Sequence, residues 1–107
     1  MVTPLTSKEH LSQELISSPV VLLDFYADWC GPCRMIAPLM EELQQDNAGR
    51  GVKVLKVNID EHPDLAEEFW VTTIPIVFFA QKGEIKEGLL GAYPKEKYQE
   101  KIDSYLI

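Results

Sequence analysis

The chain switches repeatedly between helical and extended spacing of its apolar residues. Thr6, with Glu9 three residues later, forms a capping-box pattern that opens a first helix, with Leu11, Leu15 and Ile16 as its buried stripe. Pro19 stops it. Val20 to Ala27 follows as a nearly continuous apolar, β-branched run, the pattern of a central strand covered on both faces. Met35, Ile36, Leu39, Met40 and Leu43 return to helical spacing after Cys30, with Pro38 inside the pattern as an expected kink. Gly49-Arg50-Gly51 ends that helix, and Val52 to Ile59 is a second Val-rich strand. Pro63 suits the first turn of a short helix carrying Leu65, Ala66 and Phe69. Ile74 to Ala80 and Glu84 to Leu90 flank Gln81-Lys82-Gly83 as a hairpin. Pro94 opens a last helix with Tyr98, Ile102 and Tyr105 on one face, and Val2 suits a short additional strand. The alternation demands parallel strands with right-handed crossovers, and the closing hairpin adds antiparallel ones. The expected fold class is α/β, a mixed sheet with helices on both faces, in a single domain over residues 1–107.

Composition narrows the function. The chain has 107 residues, 46% apolar and 25% charged, which suits one domain with its own core. A net charge of −7 leaves no basic surplus for nucleic acid or for an anionic membrane; its plain reading is solubility. Met1 to Pro4 lacks a basic segment followed by an apolar run, and the apolar stretch Val20 to Leu23 is too short to cross a bilayer, so the expected compartment is the cytoplasm.

The two cysteines, Cys30 and Cys33, are three positions apart, and in a reducing compartment such a pair is redox-active or metal-binding before it is structural. Zinc needs four ligands, and His10 and His62, the remaining candidates, lack a zinc module's spacing and read as surface residues. Two inert core cysteines fit poorly with Gly31-Pro32 between them, a tight turn opening a helix. Side chains three apart on a helix are about 5–6 Å apart at Cβ, and a disulfide wants roughly 3.5–4.5 Å, so a small local adjustment opens and closes the bond. At the N-terminus of its helix, Cys30 meets unpaired N–H groups and the positive end of the dipole, which hold its thiol below the ordinary cysteine value. Cys33, one turn deeper, is placed to resolve a mixed disulfide. Asp24 is a lone carboxylate in a buried strand; burial raises its pKa, unless it reaches solvent or a backbone N–H.

Asp24-Phe25-Tyr26-Ala27-Asp28-Trp29-Cys30-Gly31-Pro32-Cys33, Ala37-Pro38, Lys56-Val57-Asn58-Ile59-Asp60, Ile74-Pro75, Gly83 and Gly91-Ala92 together resemble the thioredoxin family over essentially the whole chain. The resemblance implies the thioredoxin fold, a five-stranded mixed sheet with four helices. It implies a protein-disulfide reductase and electron carrier, with Cys30 attacking, Cys33 resolving, and the pair closing as a reversible disulfide. Asp24 would assist deprotonation of Cys33, with Lys56 as its companion or merely snorkelling to solvent. Pro75 would be a cis-proline presenting the backbone of Ile74 to an extended target. Trp29, Gly31, Pro32, Ile59, Ile74, Pro75, Leu90, Gly91 and Ala92 would form the target surface, Gly91 beside the pair or simply a turn glycine. Trp70 either extends that surface or packs over its helix. The implied partners are disulfide-containing proteins and a thioredoxin reductase, most often a flavoprotein drawing on NADPH and occasionally a ferredoxin-linked enzyme. No bound cofactor or metal is expected, and the protein is expected to be a monomer. An oxidase or isomerase more often has a His between the cysteines, and a non-enzymatic scaffold subunit is the alternative from another class. The chain departs from the family pattern at Ile76, where Thr is usual, at Tyr26, where Trp is common, and at Trp70, where a small residue is common. Those departures bear on target preference.

Overall fold

A computed structural model describes residues 1–107. The elements are β1 (Thr3–Pro4), α1 (Lys8–Ser17), β2 (Val20–Tyr26), α2 (Gly31–Asn47), β3 (Val52–Asn58), α3 (Pro63–Glu68), β4 (Ile76–Gln81), β5 (Glu84–Leu90) and α4 (Lys95–Tyr105). One five-stranded sheet runs in the order β1-β3-β2-β4-β5. The β1–β3 and β2–β3 pairs are parallel, and β2–β4 and β4–β5 are antiparallel.

The period of two along a strand sorts the core into two layers. Val20 and Leu22 of β2 and Val52 and Val54 of β3 pack with Ile36, Met40 and Leu43 of α2 and with Tyr98 and Ile102 of α4. Val21, Leu23 and Phe25, with Leu55 and Val57, pack with Leu11 of α1 and Leu65 of α3. The same parity carries Asp24 and Lys56 onto the α2 side, where they are register partners across β2 and β3. Gly51, at φ +80°, follows a 3-10 turn at Ala48–Arg50 and reverses the chain into β3.

Some sequence expectations need correcting. The cap of α1 is Ser7, not Thr6: Ser7 Oγ accepts the His10 N–H at 3.0 Å. His10 occupies the third helical position where Glu9 was expected, and its Nδ1 accepts the Thr6 N–H at 3.2 Å. Ile16 is 85% exposed, because Leu11 and Leu15 already fill the face toward the sheet. Met35 is also exposed, pointing away from the stripe of Ile36, Met40 and Leu43. The hairpin turn is Lys82-Gly83, with φ of +55° and +80°, since Gln81 pairs with Glu84 as the last rung of β4. Pro38 lies inside α2, which continues from Gly31 to Asn47. No helix is long and apolar enough to cross a membrane.

Candidate active site

Three chain segments meet at the C-terminal end of β2. Cys30 is the N-cap of α2, where backbone N–H groups lack partners within the helix. Its Sγ accepts the Cys33 N–H at 3.2 Å, and its carbonyl accepts the Arg34 N–H at 3.2 Å. Cys30 and Cys33 are joined as a disulfide with Cα atoms 5.3 Å apart. The Arg34 guanidinium donates to the Asp28 carbonyl at 2.8 Å and braces the loop before the pair. Cys30 and Cys33 are equally enclosed, packed on Ala27 with Tyr26, Ile59 and Ile74 around them. The expected difference in depth is therefore absent in the oxidised pair. What separates them is their surroundings: Cys30 caps the helix, whereas Cys33 lines a cavity that opens to the surface between exposed Asp28, Arg34 and Pro38.

That cavity, of about 420 Å³, is bordered by Asp24, Cys33, Pro38, Met40, Glu41 and Lys56, among others. Asp24 is 4% exposed, and its Oδ1 has no hydrogen-bond partner. Burial pushes its carboxyl up to about 7, with the positive charge of Lys56 pulling it back toward the ordinary range. Lys56 is half-buried beside the cavity, its Nζ 6.0 Å from the centre of the Tyr26 ring. The Val2 N–H donates to Glu41 Oε1 at 3.0 Å, so the start of the chain closes one wall of the cavity.

The surface around the disulfide comes from loops fixed by the sheet. The pairing of Ile76 with Leu90 brings the segment after β5 beside the segment before β4. There the Gly91 N–H donates to the Pro75 carbonyl at 2.8 Å, and the Ile74–Pro75 peptide is cis. Gly91 has φ +98°, and an added Cβ would meet only the Tyr93 ring, at 3.8 Å. Backbone conformation, not crowding, is what requires glycine there. Trp29, Gly31, Pro32, Leu90 and Ala92 are exposed, Ile59 and Ile74 are half-buried, and Pro75 is buried. Trp70 is 89% exposed and does not pack over α3.

Sequence reasoning missed several residues that hold this site. Asp60 Oδ2 accepts the Trp29 indole N–H at 2.9 Å, which fixes an otherwise 66% exposed ring. Asn58 Oδ1 accepts the Asp60 N–H at 2.9 Å and positions that carboxylate in turn. A link across 31 positions leaves no periodic signal; only the ends of β2 and β3 lying side by side create it. No group of three or more His, Cys, Asp or Glu side chains is gathered closely enough to hold a metal ion.

Residues 2–104 match the thioredoxin family model. The chain is 46% identical over 90 residues to the M-type chloroplastic thioredoxin of Pisum sativum, covering 84% of this chain and 52% of that one. It is 42% identical to a thioredoxin of Listeria monocytogenes over 84% of this chain and 86% of that one. It thus spans about half the length of the pea relative and most of the bacterial one. A point-mutant thioredoxin of Halobacterium salinarum superimposes with a TM-score of 0.92 at 31% identity, over 98% of this chain and 90% of that one.

Proposed function

The chain belongs to the thioredoxin family, a family of oxidoreductases acting on disulfides, and on that premise we infer a protein-disulfide reductase in which Cys30 attacks and Cys33 resolves. The observation that carries this reading is the asymmetry of the pair, one sulfur capping α2 and the other facing the cavity that holds Asp24. In the reduced protein, the Cys30 thiolate attacks one sulfur of a target disulfide. The target S–S bond breaks, and its departing sulfur takes up a proton. Asp24 accepts the Cys33 proton, directly or through water in the cavity. The Cys33 thiolate then attacks Cys30 Sγ, which releases the second target thiol and leaves Cys30–Cys33 oxidised. Two electrons have passed to the target.

Trp29, Ile59, Ile74, Pro75, Leu90, Gly91 and Ala92 form the target surface in this reading, supported by the packing of Ile59 and Ile74 on the pair and by the bond that ties Gly91 to Pro75. Gly31 and Pro32, exposed between the two cysteines, belong to the same surface in this reading. Lys56 tempers the Asp24 carboxyl. A thioredoxin reductase, in this reading a flavoprotein fed by NADPH, returns the disulfide to the dithiol, and the protein acts as a monomeric domain. The working compartment is the cytoplasm, although chloroplast forms stand among the relatives.

The test is a trapping experiment. Cys33→Ser should accumulate a covalent adduct with a protein disulfide while losing turnover in an insulin-reduction assay with dithiothreitol. Equal trapping by Cys30→Ser would overturn the assignment of roles.

A further inference from the structure

Trp70 sits in a backbone conformation that suits glycine. At φ +57° its Cβ crowds the following carbonyl, and glycine is the usual occupant of this position after a helix. The Trp70 N–H donates to the Glu67 carbonyl at 3.1 Å and the Val71 N–H to the Ala66 carbonyl at 2.8 Å, the paired bonds of a Schellman end. Packing does not explain the tryptophan, because its side chain is almost wholly in solvent.

Its surroundings point to a partner. Trp70 precedes Pro75 by five residues, so it stands within about 18 Å of it. Val71 and Ile74 pack against the same core layer, and Ile74 also packs on the cysteines. The chain's other tryptophan, Trp29, is exposed too and is pinned by Asp60. The stretch between Asp60 and Trp70 exposes Glu61, Asp64, Glu67 and Glu68 as well, and no Lys or Arg occurs from residue 57 to residue 81. A single cation reaches this stretch, Lys8 of α1, bonded to Glu68 at 2.9 Å.

We propose that Trp70 extends the target surface past Trp29 and selects protein disulfides whose flanking segments carry Lys or Arg. Indole faces hold ammonium and guanidinium groups, and the acidic flank complements their charge while repelling anionic segments. The reaction in this proposal rests on the reductase reading; the binding does not.

Two disulfide peptides, identical except for Lys and Arg or Glu on both sides of the cysteines, serve as probes, with neutral hydroxyethyl disulfide as the small substrate. The full chain should reduce the cationic peptide about tenfold faster in kcat/KM than the anionic one. Trp70→Gly, which retains the helix end, should lose most of that preference with hydroxyethyl disulfide turnover unchanged. The same peptides with serine for cysteine should show the same preference in Kd by calorimetry. Equal binding of both serine peptides, or a preference untouched by Trp70→Gly, overturns the proposal. Concentration-dependent dimerisation abolished by Trp70→Gly, without peptide preference, would also overturn it by giving this face to a second copy. If neither peptide nor hydroxyethyl disulfide is reduced, the reductase reading fails, and the serine peptides still decide the binding.

Discussion

At the scale of single residues, the chemistry depends on groups whose surroundings oppose their ordinary behaviour. Asp24 is a carboxyl in a strand whose neighbours on either side are apolar, and its Oδ1 lacks a hydrogen-bond partner. A carboxyl pushed up to about 7 exchanges a proton with a thiol far more readily near neutrality than an ordinary one does. Asp24→Asn should therefore slow resolution of the mixed disulfide by about 10- to 100-fold at pH 7. It should also remove the rise in rate as pH passes through 7, both read by stopped-flow release of a target thiol. An unchanged pH profile would remove Asp24 from the mechanism. Asp60 acts at one remove, through the indole of Trp29. Asp60→Ala should lower kcat/KM for insulin by about threefold to tenfold, the worth of one hydrogen bond to a charged acceptor at a partly exposed site. Turnover of a small disulfide should stay normal, because the cysteines remain in place.

At the scale of elements, each end of a strand or helix has a definite chemical cause. Ser7 caps α1, Cys30 caps α2, and Pro63 opens α3 with a residue that has no N–H to leave unsatisfied. The edge strand β5 exposes Glu84 and Lys86, which discourage pairing with another chain. Gly88 lets β5 lie against the Phe78 ring. An added Cβ would stand 2.9 Å from Phe78 Cε1 and 3.2 Å from Ile76 Cδ1. Phe78 cannot withdraw easily, because Phe25 and Phe69 hold it at centroid distances of 5.6 and 5.4 Å. Gly88→Ala should accordingly destabilise the protein by about 1–3 kcal/mol, measured as a lower urea midpoint. An unchanged midpoint would mean that the ring cluster yields without cost.

At the scale of the whole molecule, the buried carboxyl ties stability to pH. Asp24 has a folded pKa of about 7 against an unfolded value near 3.8, so the folded state holds its proton over that interval. Its contribution is fully present below about pH 4 and is lost as pH rises through 7, a span of about 4 kcal/mol. Asp24→Asn should match the parent near pH 4 and exceed it by about 2 kcal/mol at pH 8. The gain falls short of the full span because a buried amide has donors of its own to satisfy. Urea unfolding of the oxidised proteins across pH 4–8 checks this, and a variant less stable at pH 8 would contradict it. The double variant Cys30→Ser, Cys33→Ser separates chemistry from scaffolding: it should fold and lose all disulfide reduction in the insulin assay. A cellular role that survives it would belong to the scaffold alternative.

The order of elements, the central strand, the helix after Cys30 and the cysteine pair were legible in the sequence, because hydrophobic period, caps and turn residues are local signals. Asp24 was legible too, since a charge inside an apolar run is anomalous wherever the run folds. Contacts between distant segments were beyond that reading. Tertiary packing decided that Ile16 and Met35 face solvent, because neighbouring apolar residues had already filled the available core. It decided that the cysteines are equally enclosed and differ by helix cap and cavity, not by depth. It also decided that Gly91 answers to backbone conformation and that Trp70 stands in water. The pairing of Asp60 with Trp29 and the wall that Val2 and Glu41 give the Asp24 cavity arise only when strands and helices far apart in sequence are set side by side. A one-dimensional pattern records which face a residue prefers; what stands opposite that face depends on register and crossover, which only the folded sheet specifies.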